Sequence, residues 1–87
     1  MIEPMLVLST AHLTEQTCNV FLANCPWACY EKGINEMVGW FMWVPDDTDG
    51  APEDLLRCIN RAKAECCPWI MFDRDAAEDD DLPRYEW

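Results

Sequence analysis

His12 is the only histidine among 87 residues, and Ser9 and Thr10 stand just before it. With Asp73 or Asp75 these residues would make a nucleophilic triad, in which the imidazole takes a hydroxyl proton and the carboxylate holds the ring. The strained elbow that presents such a serine is missing from the sequence. A chain this short also leaves little room for a pocket and an oxyanion hole. The hydroxyls and the imidazole therefore read as groups that satisfy orphan backbone donors and acceptors in a strand-to-helix turn. No catalytic residue is expected.

Cys18, Cys25, Cys29, Cys58, Cys66 and Cys67, with His12, contain enough soft ligands for a zinc ion. Their spacing is unlike the common sites: Cys25 and Cys29 straddle Pro26, and Cys66 and Cys67 are adjacent. They read as reduced thiols, mostly small apolar core residues, in a cytosolic setting. The carboxylates of Asp73-Arg74-Asp75 and Asp79-Asp80-Asp81 lack the mid-loop glycine of an EF-hand. Neither a metal nor a cofactor is expected.

Charge is the more informative chemistry. Seventeen Asp and Glu oppose six Lys and Arg, a net charge of -11. Two segments carry -10 of it: residues 45–54, and the acidic tail 73–87. Such a surface repels nucleic-acid phosphates and anionic lipid, so neither is an expected partner. It would attract a basic protein. The candidate contact residues are Asp46, Asp47, Asp49, Glu53 and Asp54 in one patch, and Glu78, Asp79, Asp80, Asp81 and Glu86 in the other. The bland alternative is that both segments are solvated loops that keep a tryptophan-rich chain soluble.

The elements that would position these groups form one domain over 1–87, with an acidic loop at 45–52 and the acidic tail at 73–87. Met5 to Thr10 reads as a buried strand after Pro4. Thr14 caps a helix that Pro26 stops. Trp27–Glu31 and Val38–Val44 read as a hairpin, with a turn over Lys32–Glu36. Pro52-Glu53-Asp54 opens a second helix, with Leu55, Ile59, Ala62 and Cys66 as its core stripe. Pro68 ends it, and Trp69–Phe72 is the last strand. The order predicts an α+β fold: a β-α-β-β-α-β ferredoxin-like sandwich, an antiparallel sheet with two helices on one face. Alternation sends Val38, Trp40, Met42 and Val44 one way and Phe41 and Trp43 the other. Helices cover only one face, so either Tyr85 and Trp87, a second subunit or a foreign protein covers Phe41 and Trp43, or they form an exposed apolar patch of the kind that marks an interaction site.

Apolar runs of about eight residues are too short to span a bilayer. Met1-Ile2-Glu3-Pro4 has an acid where a signal peptide has bases. The expected location is intracellular.

Seven blocks in order carry a resemblance: Ser9-Thr10-Ala11-His12-Leu13-Thr14, Tyr30-Glu31, Gly39-Trp40, Val44-Pro45, Pro52-Glu53-Asp54-Leu55, Phe72-Asp73-Arg74-Asp75 and Leu82-Pro83-Arg84-Tyr85-Glu86-Trp87. Together they resemble a family of small acidic proteins, without an assigned activity, carried by bacterial plasmids and integrative elements. Leu8 to Leu13, with Tyr30-Glu31, is also similar to the opening of a type I-F anti-CRISPR protein, over the first third only. Neither likeness assigns a role to a residue; what they imply is a mobile-element setting, with the protein in the cytoplasm of a bacterial host. The resulting expectation is an inhibitor of a host defence nucleoprotein, most naturally a CRISPR surveillance complex. It would fill a basic nucleic-acid site as an acidic DNA mimic, or dock through its aromatics. The alternative is a protein-interaction or homodimer module using the aromatic sheet face.

Overall fold

A computed structural model describes residues 2–24, 29–32 and 39–86. Cys25, Trp27, most of the expected hairpin turn, Val38 and Trp87 lie outside the described residues. Among the described residues four strands, β1 (Met5–Ser9), β2 (Cys29–Lys32), β3 (Gly39–Trp43) and β4 (Trp69–Asp73), make one sheet of order β1-β4-β3-β2. Between β1 and β2 run a 3-10 turn (Thr10–His12), a π-helix (Thr17–Phe21) and a second 3-10 turn (Leu22–Asn24). The α-helix α1 (Glu53–Ala64) joins β3 to β4. None of the described helices is long and apolar enough to cross a membrane.

The mixed α+β class and the four-stranded sheet agree with the sequence pattern. The all-antiparallel, ferredoxin-like sheet is corrected: β1 and β4 are parallel, with Met5 opposite Trp69, while β4 runs antiparallel to β3. The cause is the path of the acidic loop. Trp43 ends β3 beside Trp69, where the Val44 N–H donates to the Pro68 carbonyl at 2.8 Å. The N-terminus of α1 lies beyond the other end of the sheet, because Asp54 binds Thr14, five residues past β1. The loop thus climbs the length of the sheet and α1 descends it, about 18 Å for twelve residues. That matches a five-residue strand, so β4 starts beside the end of β3 and runs back along it.

Leu55, Ile59 and Ala62 of α1 are fully buried, against Leu8, Ile70, Phe72, Trp40 and Met42 of the sheet. Cys18 and Leu22 of the first helical segment join the same cluster. Both helical segments therefore pack on one sheet face, as the pattern predicts. Cys66 leaves the expected stripe. The helix ends at Ala64, and Cys66 takes a left-handed φ of 57° while the Cys67 N–H closes onto the Ala62 carbonyl at 2.8 Å.

Thr14 does cap the first helical segment, its Oγ1 accepting the Thr17 N–H at 3.2 Å. That segment is not regular, because tertiary partners pull on it. Trp40 Nε1 donates to the Cys18 carbonyl at 3.0 Å, and Thr17 Oγ1 donates to Asp54 Oδ1 at 3.0 Å. The chain answers with a π turn, in which the Leu22 N–H reaches the Thr17 carbonyl.

Candidate functional site

Among the described residues, the helical segments lie on one face of the sheet and no element covers the other. Val7, Met71, Phe41 and Tyr30 stand opposite one another across all four strands, and Met5, Trp69 and Trp43 form a second row. Alternation puts all seven on the side away from the core. Tyr30 is 59% exposed, Val7 46%, and Met5 and Trp43 each 40%. Phe41, Trp69 and Met71 are half-buried by their neighbours. Trp43 and Trp69 meet edge to face, with ring centroids 4.9 Å apart and planes at 80°. The expected aromatic face thus contains Phe41 and Trp43. Its other members are Tyr30 of β2 and alternate positions of β1 and β4, whose signal in the sequence is Met5-x-Val7 and Trp69-x-Met71.

Tyr85 does not cover this face, which corrects one expectation. The tail folds along α1 and the turn after β1 instead. The Tyr85 N–H donates to the Ala11 carbonyl at 2.8 Å, and Arg57 Nη1 donates to the Tyr85 hydroxyl at 3.2 Å. Leu82 packs against the core cluster. His12 fastens this arrangement. It is 2% exposed, its Nε2 accepts the Asp79 N–H at 2.8 Å, and its Nδ1 donates to the Pro83 carbonyl at 2.9 Å. That pattern defines the neutral ring with its proton on Nδ1. Ser9 is also buried, its Oγ accepting the Ala11 N–H. Ser9, His12 and the aspartates are therefore not assembled as a relay; imidazole and hydroxyl hold backbone groups.

The ten candidate carboxylates separate into distinct roles. Asp54 is 7% exposed; its Oδ2 accepts the Thr14 N–H at 2.8 Å and its Oδ1 the Thr17 hydroxyl. It is a joint between two elements and leaves the surface patch. Glu53 pairs with Arg57 at 2.6 Å along α1. In the tail, Arg61 sits between Asp79 at 3.3 Å and Asp81 at 3.6 Å, while Arg84 meets Glu78 at 2.8 Å and Asp80 at 3.9 Å. The hydrogen bond and charge of Glu78 push the Arg84 guanidinium pKa up. Much of the tail's charge is thus spent on holding the tail. Asp46, Asp47, Asp49 and Glu86 are exposed, and among the described residues no ion pair engages them. Asp47 Oδ1 accepts the Asp49 N–H at 2.9 Å, shaping the loop, and Lys63 Nζ reaches the Asp46 carbonyl at 3.5 Å.

Cys18 and Cys58 are buried in the core, and burial pushes both thiols up, Cys58 to about 12. Cys66 is exposed. No group of three or more potential metal ligands is gathered among the described residues. Beside the π-helix, a shallow groove of about 350 Å³ runs between Val20, Phe21 and Pro52.

A family model described as "Family of unknown function (DUF5983) C-terminal domain" matches residues 5–87. The chain belongs to that family. Comparison with curated proteins and with solved structures returned no match.

Proposed function

We propose that this member of the family works by docking: it binds another protein through the sheet face that no described element covers and so occupies a surface that its partner needs. One observation carries the reading, the seven apolar side chains that span four strands with no described element over them. A contiguous apolar patch of this kind on a small protein marks an interaction surface, and aromatic residues with methionine are the types enriched in such interfaces. The exposed Asp46 and Asp47 follow three and four residues after Trp43, at the end of the sheet where the Trp pair lies. They favour a partner with a basic surface and speed its approach.

An inhibitor of a host defence nucleoprotein, of the anti-CRISPR type, is the specific form of this reading. The aromatic face supplies the contact and the acidic loop the steering. Pure DNA mimicry is the second reading, favoured by the three exposed aspartates of the loop. It rests on four exposed carboxylates without ion pairs instead of ten, which is why docking comes first.

The test is a tagged capture from nuclease-treated bacterial lysate at low and high salt, with bound proteins identified by mass spectrometry. Docking predicts a defence subunit kept by the triple variant Asp46→Asn, Asp47→Asn, Asp49→Asn and lost on Phe41→Ala with Trp43→Ala. The reverse pattern would make the protein a charge mimic. Capture of the protein alone would leave the homodimer.

A further inference from the structure

The two rings at one end of the sheet face have a chemistry that the aliphatic end lacks. We infer that the Trp43–Trp69 pair receives a cationic side chain of the docked protein, an arginine in preference to a lysine. This rests on the docking reading of the same face.

An indole face is the best aromatic partner for a cation, and the planar guanidinium also stacks on it. Trp43 stands at 80° to Trp69 and is 40% exposed, so the two rings form an open corner and not a closed stack. The carboxylates around that corner share its sign. Asp46 and Asp47 leave the sheet beside it, and Glu3 lies exposed two residues before Met5, which neighbours Trp69. Lys63, in the last turn of α1, already points at the Asp46 carbonyl. Charge complementarity therefore asks for a positive group from outside.

A second copy of the chain supplies one poorly. Its net charge is -11, and three of its four arginines, Arg57, Arg61 and Arg84, are bound to its own carboxylates on the helical side. The occupant is a basic protein segment that places arginine at the Trp corner and apolar side chains along Met71, Phe41 and Val7.

The experiment uses the full chain labelled with 5-fluorotryptophan, whose five indoles give separate ¹⁹F signals. Single Trp43→Phe and Trp69→Phe variants assign the pair. Hexa-arginine and hexa-lysine peptides, equal in charge, are titrated in turn. The expected result is a saturable shift of the Trp43 and Trp69 signals, with hexa-arginine bound about tenfold more tightly. That preference disappears in Trp43→Leu and is partly kept in Trp43→Phe. Equal binding of both peptides, or shifts confined to other indoles, would overturn the inference. So would signals that move with protein concentration alone, the mark of a second copy on the face. An apolar dye separates the two levels: dye bound at the face without arginine preference removes the cation site and leaves docking standing. Absence of dye binding as well removes both.

Discussion

Asp54 offers the cleanest separation of structural from surface acid. Replacing it with alanine deletes two acceptors at once and leaves the Thr14 N–H and the Thr17 hydroxyl facing the space they filled. Each orphaned donor costs about 1–3 kcal/mol when it stays away from water. Thr14 is only half-buried, so its share belongs at the low end. Loss of an acid from the first turn of α1 adds about 0.5 kcal/mol. The expected cost is about 3–4 kcal/mol, a large part of the roughly 5–15 kcal/mol that holds a small domain together. Urea unfolding, followed by circular dichroism, should show the midpoint falling by about 2 M for a slope near 1.5–2 kcal/mol/M. Asp54→Asn keeps one acceptor and should lose roughly half as much. Asp47→Asn, on the exposed loop, is the control and should stay within about 0.5 kcal/mol. If Asp54→Ala unfolded at the same urea concentration as that control, the joint would be worthless. Asp54 would then return to the acidic patch.

Gly39 lies where β3 presses on β4, and a Cβ there would land on the Phe72 carbonyl; Gly39→Ala should abolish the cooperative unfolding transition. Cys66 holds a left-handed φ of 57° that a side chain resists, so Cys66→Gly should raise stability by about 1 kcal/mol in the same urea assay. At pH 8 a disulfide reagent should modify Cys66 in the native protein and reach Cys18 and Cys58 only on unfolding. Because the folded Cys58 thiol titrates near 12 against an ordinary value of 9.0, the unfolded chain loses that proton first. Its contribution is complete below pH 9 and declines by about 1 kcal/mol per pH unit towards 12; thermal midpoints at pH 8, 10 and 11 check the sign. A Cys58→Ala variant should flatten that slope while starting from a lower midpoint.

What could be read from the chain was mostly periodic. The stripe Leu55, Ile59, Ala62 and the alternation of Trp40 and Met42 against Phe41 and Trp43 are local geometry, and the fold obeys both. His12 was legible in kind, a ring that satisfies backbone groups. Its partners were not, since Asp79 and Pro83 lie about seventy residues away. Strand order was hidden for a similar reason: nothing in residues 45–52 says that the loop climbs the sheet before α1 begins. The carboxylates show the limit of charge counting. Equivalent as letters, Asp54, Asp79 and Asp47 become a buried joint, an ion-paired strap and an exposed group only once Thr14, Arg61 and the loop are in place.

The parallel pairing of β1 with β4 has a consequence for the order of assembly. β4 lies between β1 and β3, so the last of the described strands in chain order completes the middle of the sheet. Until it is added, β1 has no neighbour and the β2–β3 ribbon has an unpaired side. Contacts of such large sequence separation slow folding, because a long loop must close before any of them forms. A chain stopped short of Trp69 would present two apolar strand edges at once, the kind of template on which other chains assemble. Docking of residues 69–73 between β1 and β3 is therefore the step that closes both edges at once.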